Sequence, residues 1–195
     1  MRSYKQNQLL QQGFTLVELM VSIAIMLIVA AIILVQYQSF NSSVILKNLA
    51  YEVAISIREA QVLSVSVLGD SGDFSGIYGV HFPDGGGSSY SIFIDSNSNL
   101  QYEAGVDEIF ETFTLNRDFQ LANQICYEQT ASGRVCTNTE SNVYFQRPDF
   151  DAGIGIGAGQ PPDTGVTSLE IFVEPTDGSA QRSVVITNTG QITVQ

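Results

Sequence analysis

The chain has 195 residues, with 20 acidic against 8 basic side chains and a formal charge of −12 at neutral pH. That balance repels polyphosphate and argues against a nucleic-acid partner. One histidine, and two cysteines with no neighbouring histidine, exclude a recognisable zinc site and leave a His-based catalytic dyad without motif support.

Residues 1–13 carry Arg2 and Lys5, no acid, and several Gln and Asn. Then come Gly13-Phe14-Thr15-Leu16-Val17-Glu18 and an apolar run, Leu19 to Val35, interrupted only by Ser22. No charged residue follows Glu18 until Lys47. A helix of roughly 20 such residues spans a bilayer core. A lone carboxylate at the start of such a helix is costly to bury, which gives it the profile of a working group. The basic leader predicts that the preceding end stays cytoplasmic and the following part is exported. An ordinary secretory signal is the competing reading. It would be cut after the apolar region, yet Ala30-Ala31, the one conceivable site, lies inside that region.

Leu46, Leu49, Val53, Ile57 and Ala60 recur at three- and four-residue steps, while Lys47, Glu52, Arg58 and Glu59 fall off that line. This predicts that the helix continues past the membrane as an amphipathic one. It would run from about Thr15 to Leu68 and stop at Gly69, followed by Asp70, Ser71 and Gly72.

From about Gly72, β-branched and aromatic runs alternate with Gly, Asn, Asp and Ser clusters, the pattern of strands and turns. The strand candidates are Gly76–Phe82, Ser89–Ile94, Ile109–Thr114, Gln124–Glu128, Asn142–Gln146, Ser168–Val173, Arg182–Thr187 and Gln191–Val194. Asn188-Thr189-Gly190 reads as a tight hairpin turn with Gly supplying positive φ. Pro83–Ser89 is a short connection. Pro148–Gly165, with its Gly-Ile-Gly-Ile-Gly core, is either a surface loop or a tight excursion against a neighbour, and a plain loop is the expectation. No Lys-Ser or Lys-Thr follows its glycines, so it is no phosphate-binding loop.

Three constellations bear on chemistry. Asp95, Asn97 and Asn99 stand at the first ligand spacings of a calcium loop, with Glu103 at the water-linked position. Leu100 replaces the expected Gly, Val106 holds the twelfth position, and Asp107 comes one place late. The loop is a non-standard calcium site or an Asx-rich turn bonded to its own backbone. Cys126 and Cys136 flank a Thr130-Ala-Ser-Gly turn. In an exported head they are expected to bridge a hairpin, contributing about 2–3 kcal/mol, and in a reducing host they would be buried free thiols. His81 sits in an alternating strand as a surface or edge residue, and no two acids are marked as a glycosidase pair. Nothing here predicts an enzyme.

The order of leader, Gly13, Phe14, Glu18 and apolar run resembles the class III signal of type IV pilins and of type II secretion pseudopilins. Within that family the stretches Asn48–Gln61, Tyr90–Asp107 and Gln181–Val194 resemble the GspH/FimT-like branch. The resemblance implies an α+β, pilin-like fold in which a long N-terminal helix packs on an antiparallel β-sheet head. It divides the chain into a leader (1–13), a membrane or filament-core helix (14–36), its amphipathic continuation (37–71) and an exported head (72–195). A prepilin peptidase would cut after Gly13, and Phe14 would be N-methylated. Glu18 would pair with the free amine of a neighbouring subunit, offsetting part of both desolvation costs.

The product would sit in the cytoplasmic membrane, single-pass with its head outside, then join a type IV pilus or a secretion pseudopilus with other pilins or pseudopilins. The long loops favour a minor subunit. No cofactor is required, although some relatives hold calcium in head loops. Some FimT-like relatives bind DNA through basic residues near the terminal hairpin. Here Arg182 is present but Gln191 stands where a base would help, so nucleic acid is disfavoured. Two readings compete: a tethered extracytoplasmic binding module, with calcium as one option, and a secreted acidic domain.

Overall fold

The computed structural model describes residues 13–66, 76–116 and 118–195. Most of the leader and the Gly69–Gly72 stop signal lie outside the described residues. The helix α1 runs over Leu16–Val65. Thr15 caps it by accepting a hydrogen bond from the Glu18 backbone N–H at 3.2 Å. The chain divides into two units, one through Ser42 and one from Ser43 to Gln195.

Within the second unit the predicted stripe is the buried face of α1. Leu46, Leu49, Val53, Ile57 and Ala60 are all buried, together with Ala50. They pack with residues of two five-stranded antiparallel sheets. The strands are β1 (Ile77–Phe82), β2 (Ser89–Asp95), β3 (Glu108–Thr114), β4 (Phe119–Gln129), β5 (Gly133–Thr137), β6 (Ser141–Phe145), β7 (Ala152–Ile156), β8 (Val166–Pro175), β9 (Arg182–Thr187) and β10 (Ile192–Val194). One sheet has the order β3-β2-β1-β6-β7 and the other β10-β9-β8-β4-β5. Val80, Ile92, Val143 and Phe145 of the first and Leu169, Ile171, Val173, Val184 and Ile186 of the second join one core with the helix stripe.

Two expectations change. The Gly-Ile-Gly-Ile-Gly segment is not a plain loop. It forms β7, in register with β6 from Ser141↔Ile156 to Phe145↔Ala152. Ile154 is buried in the core, and the glycines keep the opposite face clear. A Cβ on Gly153 would come within 2.8 Å of the Pro162 ring, and one on Gly155 within 2.6 Å of the Gln160 carbonyl. Residues 157–165 therefore fold back over the strand, which side chains there would prevent. The Gln124–Glu128 candidate is also longer, starting at Phe119, with a register shift between Leu121 and Ile125 against β8.

Polar side chains fasten the helix end. Gln61, fully buried, donates to the carbonyls of Phe150 (2.7 Å) and Gly190 (3.2 Å), and Arg58 donates to its Oε1. Arg147 donates to the carbonyls of Ser64 and Ser66, satisfying acceptors that the helix itself leaves open. Gly190 closes the expected β9–β10 hairpin at φ 75°, and a Cβ there would strike the Phe150 carbonyl.

Candidate functional site

The N-terminal segment is defined by what it leaves uncovered. Leu16–Leu34 has the length and apolarity to cross a membrane, and none of it is buried. Phe14 is 78 % exposed, and Glu18 is exposed beside it. Among the described residues beyond its chain neighbours, no group lies within 4 Å of where a Gly13 Cβ would stand. Ser22 donates to the Glu18 carbonyl at 2.8 Å, so the one hydroxyl in the early apolar run is satisfied within the helix. An uninterrupted apolar surface of this size needs lipid or other helices around it. Glu18 also has a local role as the acid of a Thr-x-x-Glu helix start, where a carboxylate suits the N-terminal dipole.

The Asp95 loop gathers all five of its predicted residues, but most of their side-chain oxygens accept hydrogen bonds from the loop itself. Asp95 accepts the backbone N–H groups of Asn99 (3.3 Å) and Leu100 (2.8 Å). Asp107 accepts those of Ser96 (3.1 Å) and Glu103 (2.7 Å). The Asn97 and Asn99 amides donate to Glu103 Oε2, at 2.8 and 3.2 Å. Among the described residues no group of three or more His, Cys, Asp and Glu side chains is arranged to hold a metal. The loop has the form of the Asx-rich turn. Its bonds hold Ser98 and Leu100 at positive φ, and Leu100 and Tyr102 then pack against Ile77, Phe93 and Tyr144 on the outer side of the first sheet. Tyr102 also stacks on His81, with ring centroids 4.0 Å apart, and His81 Nδ1 lies 2.8 Å from Asn142 Oδ1. The lone histidine is thus a packing residue.

Cys126 and Cys136 form a disulfide between directly paired residues of β4 and β5. Cys126 is buried and Cys136 exposed. Beside it a shallow cleft of about 610 Å³ crosses the second sheet, bordered by Arg134, Glu170, Thr187 and Gln195. Arg134 and Glu170 form an ion pair across it at 2.5 Å, each occupying the other. Arg182 and Gln191 lie on the terminal hairpin, both exposed. Gln61 and Arg147 were not legible as fastening residues. Their only signal is a polar side chain in a buried helical register, in the case of Gln61.

Residues 9–34 match the prokaryotic N-terminal methylation motif. No curated protein and no solved structure matches the chain. The motif implies a pilin-like subunit processed by a prepilin peptidase, and with the exposed apolar helix it marks a membrane-anchored protein.

Proposed function

We propose that the chain is a minor pilin or pseudopilin of the GspH/FimT-like kind, a structural subunit and not an enzyme. It is cleaved after Gly13, N-methylated at Phe14 and held single-pass in the cytoplasmic membrane with its head outside. It then enters a type IV pilus or a secretion pseudopilus. Glu18 guides docking by pairing with the Phe14 amine of a neighbour. The observation that carries this reading is the methylation motif set on a helix whose apolar span is wholly uncovered.

A second observation supports it. Val44, Tyr51, Ile55 and Val62 are exposed and recur at seven-, four- and seven-residue steps. At about 3.6 residues per turn they form one line, on the side of α1 opposite the buried stripe. A neighbouring subunit would cover that line.

Mass spectrometry of protein coexpressed with a prepilin peptidase tests the reading. The expected mature N-terminus is N-methylated Phe14. An intact Met1, or a start within or after the apolar run, would instead favour the tethered module or the secreted domain.

A further inference from the structure

The first sheet ends in a strand unlike the other sheet edges. Strand β10 has only three residues, β5 is tied by the disulfide, and β7 is overlaid by the chain after it, with Asp163 N–H donating to the Ile154 carbonyl. Strand β3 has seven residues, pairs only with β2 among the described residues, and is exposed throughout except at Phe113. Ile109 and Phe110 remain 44 % and 45 % exposed, and Val106 just before them 54 %. A register shift leaves Phe110 out of the ladder, its ring edge-on to Tyr78 at 5.9 Å.

Acids border this edge. Glu108 and Glu111 belong to β3. Proteins usually defend a free edge by replacing its apolar groups with charge. Here apolar groups and acids are both displayed. Residues 43–195 hold 19 acidic and 6 basic side chains, so pairing two copies would bring like charges together.

We propose that β3 accepts an added strand from a partner protein, an extended cationic segment. Its backbone extends the sheet, its Lys or Arg side chains meet Glu108 and Glu111, and its apolar side chains cover Ile109 and Phe110. Backbone pairing supplies affinity and the alternating side chains supply selectivity. The proposal does not rest on the filament reading, because an uncleaved chain presents the same edge.

The test uses the full chain in detergent and a fluorescent decapeptide alternating lysine with valine. A second version is N-methylated at every residue, so that neither edge can donate. The unmethylated peptide is expected to bind and to slow hydrogen exchange across residues 108–114. The Glu108→Lys/Glu111→Lys variant should bind about tenfold more weakly, the scale of two exposed ion pairs lost and made repulsive. If that variant fails to fold, Glu108→Gln/Glu111→Gln should show a smaller loss of the same sign. Absence of binding, equal binding of the methylated peptide, or protection on another strand overturns the proposal. So does protection of β3 that rises with protein concentration alone, which would make a second copy the occupant.

Discussion

The two halves of α1 share a backbone and differ in what their side chains meet. Along residues 16–34 apolar groups surround the helix and none is covered. From Leu46 to Ala60 one stripe is buried against the head, and the remaining surface mixes Lys47, Glu52, Arg58 and Glu59 with the exposed Tyr51 and Ile55. The second half is stabilised by this chain's own core. The first half is uncovered, and an apolar surface of that size calls for lipid or other helices around it. Secondary structure alone therefore does not distinguish an anchor from a scaffold. The width of the apolar face does.

The largest expected effect falls on the first half. Glu18→Ala should abolish incorporation into filaments, measured in sheared-filament fractions, while membrane insertion and the head's thermal unfolding stay as in the parent. Unchanged incorporation would remove Glu18 from assembly and leave it as a helix-start acid. The halves separate again under one shared substitution. Ile57→Ala, at a fully buried position, should destabilise the head by about 2–5 kcal/mol. Ile25→Ala, at a position 57 % exposed, should leave head unfolding unchanged. Comparable losses would mean that the span supports the head. Ile55→Lys should lower incorporation without altering head unfolding, since Ile55 touches solvent and not the core.

Much of the helix was legible because one property repeats. The five predicted core positions need only period and hydrophobicity, and all five are buried. The Arg182–Thr187 strand was legible from its β-branched run and the glycine turn after it. Strand β7 was not, because the glycines that let residues 157–165 lie over it are also the composition of a loop. Its place depends on a partner strand 11 residues earlier and on two prolines after it, relations that no local window contains. The candidate site divides along the same line. Gly13, Phe14 and Glu18 are proposed from their order alone, within a segment that matches the methylation motif, whereas the Asp95 loop has calcium-like spacing whose hydrogen bonds go to its own backbone. Spacing sets which groups are near one another, and only geometry shows whether their lone pairs are free.

The disulfide gives a smaller effect confined to the head. The bridge joins positions ten residues apart, and closing so short a loop contributes about 2–3 kcal/mol. Cys126→Ser/Cys136→Ser should lower head stability by that amount in urea titrations and leave membrane insertion intact. A loss well under 1 kcal/mol would indicate that β4–β5 pairing already restricts the unfolded chain there.

The last effect is absent at neutral pH and emerges only in alkali, and it concerns the contact of Tyr90 with the second half of α1. Tyr90 is buried against α1, and its hydroxyl shares a 2.9 Å hydrogen bond with Ser56. Burial is the main influence on its phenol, and Glu52, Glu111 and Glu59 act in the same direction, pushing its pKa up to about 12. An unfolded tyrosine loses its proton near 10. The folded state therefore holds more protons between those values, and stability falls as pH rises. The contribution is complete below about pH 10 and is lost as pH rises through about 12, to a total of about 2–3 kcal/mol. Tyr144, also buried, is shifted upward too and adds to the trend. Unfolding free energies measured in urea at pH 9 and pH 11 should show the decline, and Tyr90→Phe should flatten part of it. The variant keeps a partner for Ser56, whose hydroxyl already donates to the Val53 carbonyl at 2.8 Å. An unchanged slope in Tyr90→Phe would move the alkaline sensitivity to Tyr144, on the outer side of the sheet, and away from the helix contact.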